Sequence, residues 1–195
     1  TFDKKSSRYV LKGVTSTQEC MTKDISYNHP FELAYWQYGL NIANLWRERQ
    51  GKSRNALWDN IITNLSPLPE DNGIYTAGLP TGKADNLKSF DPFDATATNT
   101  PTESFYDKIR HDHPAVLGAC GLLPNINTPY TLLYNEEKMK NTLYWVMKNW
   151  NWQTTWGWDY GMMAMTAARL GETETALNVL LIDTPKNTYL KNGHN

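Results

Sequence analysis

The stretch that decides the fold is residues 30–49, PFELAYWQYGLNIANLWRER. Its apolar residues largely recur at steps of three and four, which is the spacing of one face of an α-helix. A proline is tolerated in the first helical turn, so Pro30 fits the start of the helix, and Gly51 fits its end. The pattern therefore predicts one long helix, whose apolar positions are Phe31, Ala34, Trp36, Leu40, Ala43 and Trp46.

Further helices are predicted on both sides of a long polar loop. Residues 55–65 form a second helix with Ser53 available as its cap, so the first two helices make a hairpin. Residues 66–103 are rich in Pro, Gly, Asp, Asn and Thr and are predicted to be loop. The remaining predicted elements are a brief extended segment at residues 9–14, a short helix after Pro114, and helices at 136–149, 160–170 and 173–181. The fold class is therefore all-α, with long loops gathered on one face, where a site can be built.

Charge and composition exclude several kinds of partner from our expectations. With 19 basic and 20 acidic residues the net charge is -1, which favours neither nucleic acid nor an acidic membrane surface as a partner. No apolar run approaches the ~20 residues that span a bilayer. Cys20 and Cys120 stand apart from other metal-ligating residues, so neither a disulfide framework nor a zinc site is indicated.

The aromatic content points to carbohydrate. The chain has eight Trp and eleven Tyr, and an aromatic ring offers a flat apolar face of the kind that sugar rings stack on. Three tryptophans, Trp46, Trp58 and Trp145, lie on predicted helices and are expected to pack in the core. Four others lack a helical period and are expected to form a loop wall around a ligand: Trp150, Trp152, Trp156 and Trp158.

Two segments resemble a known superfamily. Residues 9–51, YVLKGVTSTQECMTKDISYNHPFELAYWQYGLNIANLWRERQG, resemble the catalytic segment of six-hairpin, (α/α)6-barrel glycosidases related to the maltose and kojibiose phosphorylases. Residues 156–195, WGWDYGMMAMTAARLGETETALNVLLIDTPKNTYLKNGHN, resemble a late hairpin of bacterial members. The resemblance implies that residues 1–195 are the C-terminal portion of such a catalytic domain, a partial toroid completed by the rest of the same polypeptide. It also favours a periplasmic or secreted bacterial protein.

The resemblance implies a glycosidase with an oligosaccharide or glycoside substrate and no cofactor. Such enzymes use two carboxyl groups, one as acid and one as base. Glu19 matches the general-acid position of the family loop, and Glu32 is a weaker rival in the first turn of a helix. The same resemblance makes Gln18 and Asn28 substrate-binding candidates. Ser16-Thr17-Gln18 stands where the phosphorylases carry Gly-Pro-Asp, so the exact activity does not transfer.

Asp159 and Asp112 are the candidates for the base. Asp159 could equally be a helix cap. Asp112 and His113 are expected to hydrogen-bond sugar hydroxyls, since alternate loop residues rarely form a metal site without a distant ligand. The walls of the site are predicted to be Trp36, Trp156 and Trp158.

The leading hypothesis is an inverting glycoside hydrolase. A glycoside phosphorylase is a close variant that would need a phosphate pocket. A carbohydrate-binding or scaffold domain without catalysis, and a helical interaction domain that binds no sugar, are the alternatives from other functional classes.

Overall fold

The computed structural model describes residues 1–13, 19, 26–76, 109–124 and 133–193, apart from the side chain of Asp71. This part of the chain is mostly helical, as predicted. Its α-helices are α1 (Pro30–Arg49), α2 (Ala56–Thr63), α3 (Gly118–Gly121), α4 (Glu136–Asn149), α5 (Gly157–Arg169) and α6 (Thr173–Leu180). Two 3-10 turns, Ala115–Leu117 and Pro185–Asn187, precede α3 and follow α6. No helix among these is long and apolar enough to cross a membrane.

Helices α1 and α2 form the predicted hairpin, but polar side chains hold much of it. Asn44 is buried on α1 and donates to the Asp59 carboxylate of α2 at 2.8 Å, while its own oxygen accepts the Asn55 N–H at 2.8 Å. Arg54 pairs with Asp59 at 2.8 Å. The predicted cap Ser53 is wrong: the Asn55 side chain accepts from two N–H groups of the first turn of α2 and so caps that helix.

Two of the residues predicted on the apolar side of α1, Trp36 and Trp46, do not lie on its buried face. The buried positions of α1 are Pro30, Leu33, Ala34, Asn41 and Asn44. Trp46 is 56% exposed, so its predicted place in the core is wrong. An Arg49 guanidinium covers part of its ring at 5.2 Å from the centroid.

The main core lies between α4, α5, α6 and the segment that contains α3. Fully buried side chains from each of these regions meet there: Ile109, Leu117, Met139, Leu143, Tyr160, Met163 and Val179. Helices α5 and α6 form a second hairpin, joined at Gly171, whose φ of +78° suits glycine. The side chain of Thr166 ties α5 to the 3-10 turn, because its hydroxyl donates to the carbonyl of Leu117 at 3.1 Å.

Two short two-stranded sheets accompany the helices in the described part of the chain. β1 (Phe2–Asp3) pairs antiparallel with β2 (Arg8–Tyr9). Of the extended segment predicted at residues 9–14, Tyr9 lies in β2, Lys12 forms an isolated bridge with Tyr27, and the last residue lies outside the described ranges. The predicted loop at 66–103 contains a hairpin of β3 (Glu70–Asp71) and β4 (Ile74–Tyr75). Asn72 and Gly73 turn it with φ of 48° and 81°, as expected for an Asn-Gly turn.

Gly121 is a point of close approach between α3 and α5. A Cβ atom built there would stand 2.6 Å from the backbone carbonyl oxygen of Met162, which a helix cannot move aside. We expect Gly121→Ala to lower the free energy of unfolding by about 1–3 kcal/mol, measured by urea titration with circular dichroism.

The matched control is Gly161→Ala in the middle of α5. A Cβ there meets nothing within 4 Å, so the substitution should stabilise the helix by up to ~1 kcal/mol. Equal stability of the two variants would contradict the close approach at Gly121.

Candidate functional site

The candidate site forms where two loops meet at the start of α5. One loop, residues 112–114 after the helical residues 109–111, is tied to the other, residues 150–156, by the Trp150 indole N–H, which donates to the Asp112 carbonyl at 2.6 Å. The Asn151 N–H adds a bond to the Arg110 carbonyl at 3.0 Å. These bonds place His113 against the first turn of α5.

Asp159 is buried at the third position of α5 with no exposed surface. Its Oδ2 accepts the Trp156 N–H at 3.0 Å and its Oδ1 lies 2.9 Å from His113 Nδ1. The carboxylate thus satisfies an N–H of the helix start and sits at the positive end of the helix dipole. Burial raises the pKa of Asp159, while the bonds from His113 and Trp156 oppose the rise.

His113 is fixed at three points. Besides the ring contact with Asp159, its backbone N–H donates to Asp112 Oδ1 at 2.7 Å. Its ring lies 4.3 Å from the ring of Trp158 and 5.7 Å from that of Trp156, tilted by 37° and 35°. Trp156 and Trp158 remain 44% and 43% exposed. We call the rings of Trp156, Trp158 and His113 the aromatic platform.

A second imidazole, His29, approaches from the residue before α1. His29 is fully buried, and this burial lowers its pKa to about 4, an effect that the nearby charge of Asp112 opposes. Asp112 also raises the pKa of Asp159 by charge repulsion. The charge of Asp112 therefore acts on both His29 and Asp159, and Asp159 in turn contacts the His113 ring. Sequence reasoning missed His29, whose one signal is a histidine directly before a helix-starting proline.

The structure brings five of the predicted site residues together: Asp112, His113, Trp156, Trp158 and Asp159. The neighbouring His111 faces elsewhere, since its Nδ1 lies 2.7 Å from the Thr154 hydroxyl. Within the described ranges, no three His, Cys, Asp or Glu side chains converge as a metal site.

Two of the four tryptophans predicted as a loop wall are placed differently. Trp150 is 5% exposed and belongs to the core, so its predicted place in the wall is wrong. Trp152 packs on the core, 5.5 Å from the ring of Tyr160, and its N–H donates to the Met147 carbonyl at 3.1 Å.

The remaining candidates are Gln18, Glu19, Asn28 and Trp36. Gln18 is outside them, and Glu19 is described as an exposed turn residue. The Asn28 side chain accepts the Leu11 N–H at 3.0 Å and so holds the N-terminal segment. Trp36 is half-exposed on α1, about 9 Å along the helix axis from Pro30.

Glu32, in the first turn of α1, has a property that its sequence position did not reveal. It is partly buried, and burial raises the pKa of its carboxyl group. A raised pKa is what a carboxyl group needs to donate a proton near neutral pH.

Comparisons of the chain with protein-family models, with curated proteins and with solved structures found no match.

The buried His29 should make stability depend on pH. The unfolded chain binds a proton to this histidine near pH 6.5, whereas the folded chain binds it only near pH 4, so stability falls as pH drops between these values. We expect His29 to account for a loss of roughly 3 kcal/mol between pH 7 and pH 4.

Urea titrations of the wild type and of His29→Gln at several pH values would measure this loss. The variant should show a shallower fall below pH 6.5, and the two proteins compared at pH 8, where His29 is neutral in both states, give the baseline difference. Parallel stability curves would show that His29 is not buried as described.

Proposed function

We propose that the aromatic platform binds a carbohydrate and that the protein hydrolyses a glycosidic bond there. The observation that carries the proposal is the placement of two half-exposed tryptophan rings against a buried His113–Asp159 pair. Exposed aromatic rings held rigidly suit the apolar faces of sugars, and buried charged groups beside them supply the few polar contacts that orient a ligand.

The chemistry of the proposal needs one proton donor and one proton acceptor. We propose Glu19 as the donor, because of its place in the loop that resembles the glycosidase general-acid loop. The acceptor side belongs to the group formed by Asp112, His113 and Asp159, which meets the rings of Trp156 and Trp158 at the imidazole of His113. With a water between acceptor and sugar, the reaction inverts the anomeric configuration.

We further propose that the chain forms part of a six-hairpin toroid. Support comes from the two helical hairpins, α1–α2 and α5–α6. They overlap in sequence with the two segments that resemble the superfamily. The exposed apolar side chains of α6 and the following residues, Leu177, Leu180, Leu181 and Leu190, fit packing against further hairpins.

A binding protein without catalysis is the second candidate. It is favoured by one observation, namely that both oxygens of the Asp159 carboxylate already accept hydrogen bonds within the protein. In this reading the acidic group only holds the platform in place.

The first test concerns the platform. A glycan array of neutral and acidic oligosaccharides identifies a ligand, and calorimetry on the best one compares the variants Trp156→Ala and Trp158→Ala with wild type. Each should weaken binding about tenfold, equal to ~1.4 kcal/mol, because the stacking surface is lost.

Trp46→Ala is the matched control. Trp46 is also exposed and also covered by a cation, as Trp156 is by Lys186 at 5.4 Å, but it lies about 24 Å along α1 from Pro30. It should leave affinity unchanged. Binding of no glycan on the array, or equal weakening by all three variants, would refute the proposed platform.

The second test identifies the acid. With a substrate found by product analysis of the same glycans, Glu19→Gln should lower kcat by about 10²-fold or more while the glycan still binds. Glu32→Gln is the comparison, since it removes the rival carboxyl group. Loss of kcat only in Glu32→Gln would transfer the role of acid to Glu32.

A further inference from the structure

The geometry of the buried pair assigns different roles to its two members. We propose that Asp159 is a positioning residue and that His113 is the group that accepts the proton, through Nε2. This inference rests on the proposed function for its catalytic part, whereas its structural part concerns the resting protein.

Asp159 cannot itself touch a ligand in this arrangement. It has no exposed surface, and its two oxygens are engaged by two different elements, the His113 ring and the Trp156 backbone. A water or sugar could reach either oxygen only after one of these bonds is broken and the start of α5 is opened.

The bond between Asp159 and His113 selects one form of the imidazole. A carboxylate oxygen 2.9 Å from Nδ1 accepts a hydrogen bond from that nitrogen, so the neutral ring carries its hydrogen on Nδ1 and keeps a lone pair on Nε2. Among the described residues, none hydrogen-bonds to Nε2. That nitrogen is therefore available to a ligand or a water.

The other contacts of His113 keep this lone pair in a fixed direction. Asp112 holds the backbone N–H at 2.7 Å, and Trp158 holds one side of the ring at 4.3 Å between centroids. Since Trp158 is also a wall of the platform, a sugar stacked on it would lie beside the imidazole. Fixed orientation of a base relative to its substrate is a large part of its catalytic effect.

The step balances as a general-base hydrolysis. A water gives one proton to Nε2 of His113 while its oxygen forms the new bond to the anomeric carbon. The bond from that carbon to the leaving oxygen breaks, and the leaving oxygen takes a proton from the Glu19 carboxyl group. His113 ends as an imidazolium beside the Asp159 carboxylate, and proton exchange with solvent restores both groups.

The experiment reads the tautomer of the His113 ring by ¹⁵N NMR at neutral pH in the full chain without ligand. In the wild type, Nδ1 should be protonated and Nε2 should not. In Asp159→Asn the amide oxygen is still needed by the Trp156 N–H, so the amide NH₂ faces Nδ1, and the proton should move to Nε2.

Asp112→Asn is the matched control, because Asp112 bonds to the backbone of His113 and not to its ring. It should keep the wild-type tautomer. A wild-type ring protonated on Nε2 overturns the proposal without requiring any variant to fold, and so does an Asp159→Asn protein that is folded by circular dichroism but keeps the proton on Nδ1.

Kinetics on a hydrolysed glycan test the catalytic part. Asp159→Asn and His113→Gln should each lower kcat by about 10²-fold or more with little change in KM, and the double variant should be no slower than the worse single one, because the two residues act as a unit. Additive losses, or a wild-type kcat in Asp159→Asn, overturn the positioning role. If no glycan is bound or hydrolysed, the proposed function fails, and the tautomer still decides the structural part.

Discussion

The structure around the candidate site depends on one buried carboxylate. Asp159 joins the first turn of α5 to the loop that carries His113, through bonds of 3.0 and 2.9 Å. A buried carboxylate is costly unless it is well satisfied, and here both oxygens have donors. Removal of the Asp159 side chain would leave the Trp156 N–H and the His113 imidazole without their acceptor. His113 would then no longer be fixed beside Trp156 and Trp158.

The helices of the two hairpins are held together by different kinds of contact. Between α5 and α6 the contact is apolar and closed by a tight turn at Gly171. Between α1 and α2 buried asparagines and the Arg54–Asp59 pair carry much of the contact. Because polar bonds are directional, this network fixes the register of the hairpin, while Tyr35, Trp36 and Trp46 of α1 lie exposed on the outer surface.

Local patterns predicted the elements well and the tertiary placement of single side chains poorly. Helix α4 occupies the predicted residues, 136–149, because its apolar spacing lies within the segment and its capping residue, Asn135, directly precedes it. Helix α5 begins at Gly157, three residues before the predicted start, because the acceptor that stabilises its first turn is Asp159 inside the helix. Asn55 rather than Ser53 caps α2, and its own N–H is held by the Asn44 side chain of α1.

The same limit applies to the tryptophans. Trp150 and Trp156 have similar polar neighbours in sequence, yet the first packs in the core, where the Asp112 carbonyl, 38 residues away, accepts its N–H. That partner lies on a loop whose approach no local pattern encodes. The chemistry of the side chains was enough to name Asp112, His113 and Asp159 as candidates. Only the folded structure shows the bond between His113 and Asp159.

The placement of the platform explains why exposed rings can be rigid. The rings of Trp156 and Trp158 lie against the fixed imidazole of His113. The 3-10 turn at Pro185–Asn187 directly follows Thr184, whose hydroxyl lies 2.6 Å from that of Tyr160. This anchor also brings Lys186 over the Trp156 ring. Binding then orders few additional side chains, which lowers the entropic cost of capturing a ligand. The rigid surface and the buried charged pair thus have one origin. Asp159, in the first turn of α5, accepts hydrogen bonds from both Trp156 and His113.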